Sequence, residues 1–351
     1  MMKNNKQQYQ EAQLFTVGSL FAGIGGICTG FIQAGYKIKW ANEYDQKACE
    51  TYRYNYSHQL YEQDIHNVKN PKDWGYVDVI TSGFPCQAFS VAGYRQGFND
   101  SQGRGNLFFE TARFIEEIQP KAYLLENVKN LAGHDNGKTL EIIKDTITKG
   151  LNYSFIPFIL NSKDYGNVPQ TRERIYIVGF RNEGHIVGSL NQDFNDNSSN
   201  CMSNTVSNKF KIPKPISLTR KITDIIDRST VDKSYYYESS HKYYPELEKT
   251  MIREDTIYQW RRVYVRENKN QLCPTLTANM GTGGHNVPLV KVDNQYRKLT
   301  IQECLGLQGF DPFQFKFPNH MAKSHCYKQI GNSVVVPVIK RIALNIKYAL
   351  S

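Results

Sequence analysis

Cysteine is scarce in this sequence and follows no metal-binding or disulfide pattern. There are seven cysteines among 351 residues, an odd number, and no two of them form a CxxC pair. This argues against a disulfide framework and against a tetrahedral zinc site. We therefore expect no metal, and a reduced, cytoplasmic protein.

Long apolar runs are also missing. No stretch reaches the roughly 18 apolar residues that a membrane span needs, so no membrane contact is expected. The polar start, "MMKNNKQQYQEAQ" (1–13), lacks the apolar core of a signal peptide and is predicted to be a disordered tail. No repeat occurs at the spacing of solenoid proteins.

Acidic residues are outnumbered by basic ones, 33 against 43, which gives a net charge of +10. A basic balance fits a polyanionic partner such as nucleic acid. The length and the 40% hydrophobic content predict a globular protein of about two domains.

Short apolar runs alternate with helical patterns over residues 14–182. Strands are predicted at 14–20, 38–42, 77–81, 122–126, 155–160 and 175–180, with helices at 26–35, 107–118 and 137–150. This alternation predicts an α/β domain on a mostly parallel sheet, which binds ligands beyond the carboxyl ends of its strands. Periodicity is weak from 205 to about 320, which predicts a second, smaller and irregular domain. The last apolar stretch, 333–350, predicts a terminal helix.

A glycine turn, "LFAGIGGICTG" (20–30), follows the first predicted strand and precedes a helix. Glycines there let backbone amides approach a ligand. Glu43 ends the next strand, where doubly wound folds place an acid on ribose hydroxyls. A nucleoside ligand fits, but GxGxxG is not met because Cys28 takes the third position. A plain tight turn and a solvated Glu43 remain alternatives.

Three further polar features belong to the same predicted edge of the sheet. Cys86 follows one strand in "GFPCQAFSVAG", Glu126 ends the next, and Arg172 and Arg174 lie two apart at the start of another. A thiol with a neighbouring acid can add across a polarised ring, and guanidinium groups suit a carbonyl oxygen or a phosphate. The alternatives are a buried inert thiol, a helix-capping glutamate and solvated arginines.

The order of these motifs resembles the bacterial DNA (cytosine-5)-methyltransferases from Leu20 to Pro337. "FAGIGG", "NEYD", "QDI", "GFPCQAFS", "GNLFFE", "ENV" and "QTRERIY" are similar to the family's first six motifs and its eighth. "RKLTIQECLGLQGF" and "QIGNSVVVPV" are similar to the ninth and tenth. The resemblance implies a Rossmann-like, S-adenosylmethionine-dependent methyltransferase sheet with a smaller DNA-recognition domain.

The resemblance also implies which residues hold the cofactor. Phe21 and Tyr44 are expected to pack on adenine, Glu43 to take the ribose hydroxyls, and Asp64 with Ile65 to read the adenine edge. The other implied cofactor residues are Gly23, Ile24, Gly25, Pro85, Leu107, Asn332, Ser333 and Val334.

The implied chemistry is attack of the Cys86 thiolate on cytosine C6, with Glu126 donating to N3, Arg174 holding O2 and Arg172 supporting the site. The cytosine must flip out of the duplex, and residues 87–104 are expected to close over it. The base that removes the C5 proton is not identified.

Target recognition is expected between the eighth and ninth motifs, at about 183–296, where arginines and amides suit base edges and lysines suit phosphates. The implied DNA-binding residues are Gln87, Ser90, Arg95, Arg104, Arg261, Arg262, Arg266, Thr275, Thr277, Asn279 and His285. The predicted domains are 14–182 plus 322–351 for catalysis and 183–321 for recognition.

The leading hypothesis is a DNA cytosine C5-methyltransferase acting on a short specific site in double-stranded DNA. We expect a monomer, with a cognate restriction endonuclease as a separate partner. The alternatives are a tRNA-directed enzyme of the same chemistry, a catalytically silent DNA-binding protein and a nucleotide-dependent oxidoreductase. The missing CFT signature and the recognition insert of more than a hundred residues favour DNA over tRNA.

Overall fold

The computed structural model describes residues 14–85, 107–181, 206–261, 263–281 and 286–351. The strands are β1 (Thr16–Leu20), β2 (Lys37–Glu43), β3 (Gln59–Glu62), β4 (Val79–Ser82), β5 (Ala122–Val128), β6 (Ile156–Asn161), β7 (Gln170–Thr171), β8 (Glu173–Phe180), β9 (Tyr258–Arg261), β10 (Tyr264–Glu267), β11 (Cys273–Pro274), β12 (Pro288–Val292) and β13 (Gln295–Lys298). The helices are α1 (Gly26–Gln33), α2 (Gln46–Asn55), α3 (Leu107–Ile118), α4 (Lys138–Asp145), α5 (Ser162–Tyr165), α6 (Val206–Lys209), α7 (Tyr244–Thr250), α8 (Ile301–Leu307), α9 (Lys323–Asn332) and α10 (Val336–Leu350).

Seven strands form one sheet in the order β3-β2-β1-β4-β5-β8-β6. The five strands from β3 to β5 pair in parallel, and β8 lies antiparallel between β5 and β6. The chain proceeds from β1 outward to β2 and β3, then returns to β4 on the other side of β1. This reversal creates a crevice beyond the carboxyl ends of β1 and β4, where such sheets bind ligands. The predicted α/β fold on a mostly parallel sheet is confirmed.

The sheet is buried on both faces, which explains its continuous apolar strands. In β4, Val79 packs into one core cluster and Ile80 into the other, and in β5 Leu124 and Leu125 divide in the same way. The terminal helix α10 covers the first of these faces. Its Ile339 lies so close to α1 that a Cβ on Gly30 would be 2.6 Å away.

The elements that were not predicted include α2 and β3. The sequence of α2, "QKACETYRYN", is polar and buries only four residues, and β3 is an edge strand with no fully buried position. Both therefore lack the apolar periodicity on which the prediction depended.

The stretch from 205 to 320, where the sequence shows weak periodicity, also contains short regular elements that were not predicted individually. It contains a four-stranded antiparallel sheet, β10-β9-β12-β13, and β11 pairs with β7. These strands have only two to five residues and carry charged side chains such as Arg266 and Lys291, which hides their alternation. The predicted domain boundaries remain predictions. In the described part of the chain, none of the helices has the length and apolarity to cross a membrane.

Candidate active site

The glycine turn after β1 and polar residues from three further strands lie at the carboxyl edge of the large sheet. Glu43 ends β2, Glu126 lies near the end of β5, and the glycine turn follows β1. Because β8 runs antiparallel, its beginning reaches the same edge, and Arg174 is paired there with Val128 of β5. The structure thus brings Glu43, Glu126, Arg174 and the glycine turn to one edge of the sheet.

The glycine turn has the open left-handed backbone that its sequence implies. Gly23 and Gly25 have φ values of 56° and 82°, and the turn is closed by a 2.8 Å bond from the Gly25 N–H to the Ala22 carbonyl. A Cβ on Gly23 would meet nothing within 4 Å, so the backbone there faces open space. A ligand can therefore approach this backbone closely.

The Glu43 carboxylate is held by three backbone amides. Oε2 accepts from Gly23 N at 2.8 Å, and Oε1 accepts from Tyr44 N at 2.8 Å and Asp45 N at 2.9 Å. A carboxylate has about four lone-pair sites, so capacity remains for a further donor such as a hydroxyl. The sequence prediction had not foreseen that Glu43 also fixes the glycine turn.

The remaining candidates beside β2 and β3 differ in exposure. Tyr44 is 69% exposed, whereas the Ile65 side chain is buried in the core, so only the backbone of Ile65 is available to a ligand. Asp64 is exposed and accepts from His66 N at 3.0 Å, a bond that lowers the pKa of the carboxyl. Phe21 packs partly buried against the core and has a φ of 52°.

The buried carboxyl of Glu126 faces the turn that leads to Cys86. Its Oε1 lies 3.1 Å from Arg174 Nε, and its Oε2 would be 3.7 Å from a Cβ on Gly83, three residues before Cys86. Burial raises the pKa of Glu126, although the charges of Arg174 and Arg172 act in the opposite direction. A carboxyl with a raised pKa retains its proton to higher pH and is suited to donate it.

Asn127, next to Glu126, anchors the same turn. Its side chain Nδ2 donates to the Phe84 carbonyl at 2.8 Å in a buried position. Two residues of the "ENV" motif therefore lie against the segment at 83–85: Glu126 is close to Gly83, and Asn127 bonds Phe84. Cys86 itself lies outside the described residues, as do Gln87, Ser90, Arg95 and Arg104.

Arg172 and Arg174 both act on Glu126 but have different partners. The Arg172 side chain is buried, and its guanidinium donates to the carbonyls of Leu276 at 2.8 Å, Gly331 at 3.1 Å and Ser333. Burial and the charge of Arg174 lower the pKa of Arg172 to about 9. Arg172 thus connects its own segment to the segments at 276 and 331–333, while Arg174 pairs directly with Glu126.

Comparison with known proteins agrees with this arrangement. The family model of C-5 cytosine-specific DNA methylase matches residues 15–348. The type II methyltransferase M.Bsp6I from Bacillus sp. (strain RFL6) is 51% identical over 336 residues, covering 95% of this chain and 98% of that protein. M.HhaI from Haemophilus parahaemolyticus is 36% identical, covering 95% and 94%.

The chain belongs to the C-5 cytosine-specific DNA methylase family. Its fold is also that of solved structures with low sequence identity. The DNMT2 of Spodoptera frugiperda and the Dnmt2 of S. pombe each match with a TM-score of 0.66, at 20% and 18% identity. They cover 96% and 95% of this chain, and the chain covers 100% and 99% of theirs. The resemblance drawn from the motifs is confirmed.

Membership of this methylase family implies S-adenosylmethionine as the methyl donor, and the described residues fit such a group. The backbone at Gly23 faces open space, and the Glu43 carboxylate can accept a further hydrogen bond. In addition, the Ser333 Oγ is buried and has no hydrogen-bond partner within the described residues. It lies close to the glycine turn, since a Cβ on Gly26 would be 2.5 Å away. A buried hydroxyl without a partner is costly and fits a polar ligand at this position.

The other cofactor candidates from the terminal and loop segments differ in exposure. Asn332 and Pro85 are exposed, Leu107 is partly buried, and Val334 is buried in the core below α1. Ile24 is also buried, in a core cluster that contains Leu305 and Val336, so its side chain is not available to a ligand. Among the described residues, no group of three or more His, Cys, Asp or Glu side chains is arranged to hold a metal ion.

The recognition candidates are held by partners within the methylase itself. Arg261 donates to Asn286 Oδ1 at 2.6 Å, and Arg266 donates to Gln259 Oε1 at 2.9 Å. Thr277 donates to Asn279 Oδ1 at 2.6 Å. These bonds orient side chains near the surface. Arg262 and His285 lie outside the described residues.

Thr275 belongs to a segment that is fastened to the catalytic edge. Its hydroxyl donates to the Thr171 carbonyl at 2.6 Å, in line with the β7–β11 pairing. The fully buried Gln170 accepts from Leu276 N at 3.0 Å and donates to the Leu307 carbonyl at 2.7 Å. Sequence reasoning missed Gln170 and Asn127 as site-building residues. Gln170 belongs to "QTRERIY" and Asn127 to "ENV". The available signal was that each is a polar residue within two positions of a predicted site residue.

Proposed function

We propose that this methylase transfers a methyl group from S-adenosylmethionine to C5 of a flipped-out cytosine in a short specific sequence of double-stranded DNA. The proposed covalent intermediate joins the Cys86 sulfur to C6. The observation that carries the proposal is the buried Glu126 carboxyl, 3.1 Å from Arg174 and facing Gly83, on the same sheet edge as the Glu43–Gly23 contact.

The chemistry follows from the electronic demand of the ring. The Cys86 thiolate adds to C6, and the electron pair shifts toward C5, which becomes an enamine carbon. Negative charge that develops at N3 and O2 is relieved by a proton from Glu126 and by the Arg174 guanidinium. Bound S-adenosylmethionine supplies the electrophilic methyl group. A base then removes the C5 proton, the Cys86 thiolate is expelled, the N3 proton returns to Glu126, and the aromatic ring is restored.

Base flipping is proposed because C6 is inaccessible within a stacked duplex. Residues 87–104 are proposed to close over the extruded base, with Gln87, Ser90, Arg95 and Arg104 near the DNA. Arg172 is proposed to support the site through its bonds to the segments at 276 and 331–333.

Cofactor binding is proposed for the turn and pocket described above. Glu43 takes the ribose hydroxyls, Phe21 and Tyr44 pack on adenine, and Asp64 with the Ile65 backbone reads its edge. The turn of Gly23, Ile24 and Gly25 contributes backbone. The other proposed contacts are Pro85, Leu107, Asn332, Ser333 and Val334.

DNA reading is proposed for the recognition region at 183–321. The proposed contacts are Arg261, Arg262, Arg266, Thr275, Thr277, Asn279 and His285. The high level of identity to a type II methyltransferase supports a cognate restriction endonuclease that acts separately. The enzyme is proposed to act as a monomer.

The test measures methyl transfer and covalent trapping with unmethylated plasmid DNA. Wild-type protein should transfer label from S-adenosylmethionine to DNA, and Cys86→Ser should abolish transfer while Cys201→Ser, in a polar stretch, leaves it intact. An oligonucleotide duplex with 5-fluorocytosine at the mapped target should form a covalent adduct with wild-type protein and with Cys201→Ser, but not with Cys86→Ser. Normal methylation by Cys86→Ser would refute the covalent mechanism, and transfer to tRNA but not to DNA would refute the substrate.

A further inference from the structure

The exit of the glycine turn rests against the ring of Tyr56. Gly25 is left-handed, with φ 82° and ψ 24°, and forms the N-cap of α1. A Cβ on Gly25 would lie 2.4 Å from Cε2 of Tyr56. Only glycine fits there, because the backbone needs a positive φ and the ring fills the space of a side chain.

The Tyr56 hydroxyl bonds the same backbone. It donates to the Gly25 carbonyl at 3.0 Å and lies 2.6 Å from Thr29 Oγ1, which itself lies 3.0 Å from that carbonyl. The Thr29 N–H also donates to the Gly25 carbonyl, at 2.8 Å, in the first turn of α1. The direction of the Gly25 peptide is therefore held by two side-chain hydroxyls in addition to the helix bond.

Tyr56 is itself firmly placed. Its ring centroid lies 4.5 Å from that of Tyr52 and 5.5 Å from that of His58. The ring packs against both the core below α1 and the core that contains Ile24. Since the ring cannot turn away from these neighbours, its hydroxyl is a fixed donor.

One helix connects both anchors of the turn. Helix α2 begins three residues after Glu43, is capped by Asp45 through bonds to Lys47 N and Ala48 N, and ends at Asn55, with Tyr56 as its C-cap residue. Glu43 binds the Gly23 N–H and Tyr56 binds the Gly25 carbonyl. The turn is thus held at Gly23 by the last residue of β2 and at Gly25 by the residue that follows α2.

We infer that Tyr56 is a positioning residue whose hydroxyl holds the Gly23–Gly25 turn in the conformation that binds the methyl donor. The inference rests on the proposed function. Tyr56 touches neither Glu126 nor Arg174 in the described contacts, so its effect should fall on donor affinity and not on the chemical step. Tyr56→Phe removes the hydroxyl and keeps the ring that packs on Gly25.

The matched control is Tyr36→Phe. Tyr36 is buried in the same core below α1, and its hydroxyl donates to the Ala343 carbonyl at 3.1 Å, away from the turn. Both variants lose one tyrosine hydroxyl bonded to a backbone carbonyl. A loss of donor affinity specific to Tyr56→Phe therefore reports on the turn and not on general stability.

The experiment measures the Kd of S-adenosylhomocysteine by calorimetry, the unfolding of the protein without ligand by urea, and kcat with KM for S-adenosylmethionine. For Tyr56→Phe we expect Kd and KM to rise about three- to tenfold, as for loss of one hydrogen bond, with kcat within about twofold of wild type. Tyr36→Phe should keep the wild-type Kd even where its unfolding midpoint falls.

Two results would overturn the inference alone: an unchanged Kd for Tyr56→Phe, or an equal rise in Kd for both variants. A fall in kcat at unchanged Kd would also contradict it. If the wild-type protein does not bind S-adenosylhomocysteine at all, the proposed function fails together with the inference. The two failures are therefore distinguishable.

Discussion

Two carboxylates at the same sheet edge, Glu43 and Glu126, have different environments. Glu43 accepts three hydrogen bonds from backbone amides, including one from the glycine turn. Glu126 is buried and meets a single guanidinium through the 3.1 Å contact with Arg174. The backbone amides fix the Glu43 carboxylate in position, whereas burial favours the protonated form of Glu126.

The difference teaches that position on the sheet does not determine chemical role. Glu43 ends β2 and Glu126 lies near the end of β5, and the strands β1 and β4 lie between these two parallel strands. The surroundings of Glu43 suit binding of a neutral hydroxyl, and those of Glu126 suit proton donation. Three predictions test this contrast, beginning with the largest expected effect.

Glu126→Gln should lower kcat by about 10²- to 10⁴-fold, because the amide cannot supply the acid proton. The Kd of S-adenosylhomocysteine should stay near wild type. Single-turnover methylation and calorimetry measure the two quantities. Glu173→Gln is the control, since Glu173 is exposed, next to Arg174 and paired with Lys129. A Glu126→Gln protein that retains more than about a tenth of kcat would show that Glu126 is no proton donor.

Glu43→Gln should weaken S-adenosylhomocysteine binding by about 10- to 100-fold, because hydrogen bonds to a charged acceptor are lost and the amide NH₂ faces backbone donors. At saturating S-adenosylmethionine, kcat should change little. The control is Glu62→Gln, at the end of the neighbouring strand and paired in register with Glu43. Equal losses of affinity in Glu43→Gln and Glu62→Gln would show that the loss comes from the whole strand edge. The proposed difference in role between Glu43 and Glu126 would then lose its support.

The smallest effect concerns pH and stability. Burial raises the pKa of Glu126 in the folded state. The protonated Glu126 side chain therefore contributes its full share of the folding stability below the unfolded-state pKa of about 4.3, and this share is lost as pH rises through the folded-state pKa. Glu126→Gln stays neutral. The free energy of unfolding of the variant relative to wild type should therefore increase with rising pH above about 4.3. Urea titrations at several pH values measure it, and a difference that decreases with pH would reverse the assignment.

Sequence reasoning succeeded where the signal was local. The glycine turn, the acid at the end of β2 and the buried strands follow from spacing and apolar runs within about twenty residues. It failed for α2, because the polar sequence of this helix lacks apolar periodicity. The residues that flank α2, Glu43 and Tyr56, bind the glycine turn. Sequence reasoning also failed for the four-stranded sheet, whose strands are short and charged. The carbonyl partners of Arg172 were beyond its reach, because Leu276 lies 104 residues away in the chain.

By itself the sequence determined the order of strands and turns and the residue types available at each strand end, because backbone geometry couples near neighbours. Only the tertiary structure decided that Glu126 is buried beside Arg174, that Arg172 binds carbonyls from two distant segments, and that Tyr56 bonds the glycine turn. These properties depend on which distant groups share a low-dielectric space, and local patterns carry no information on that.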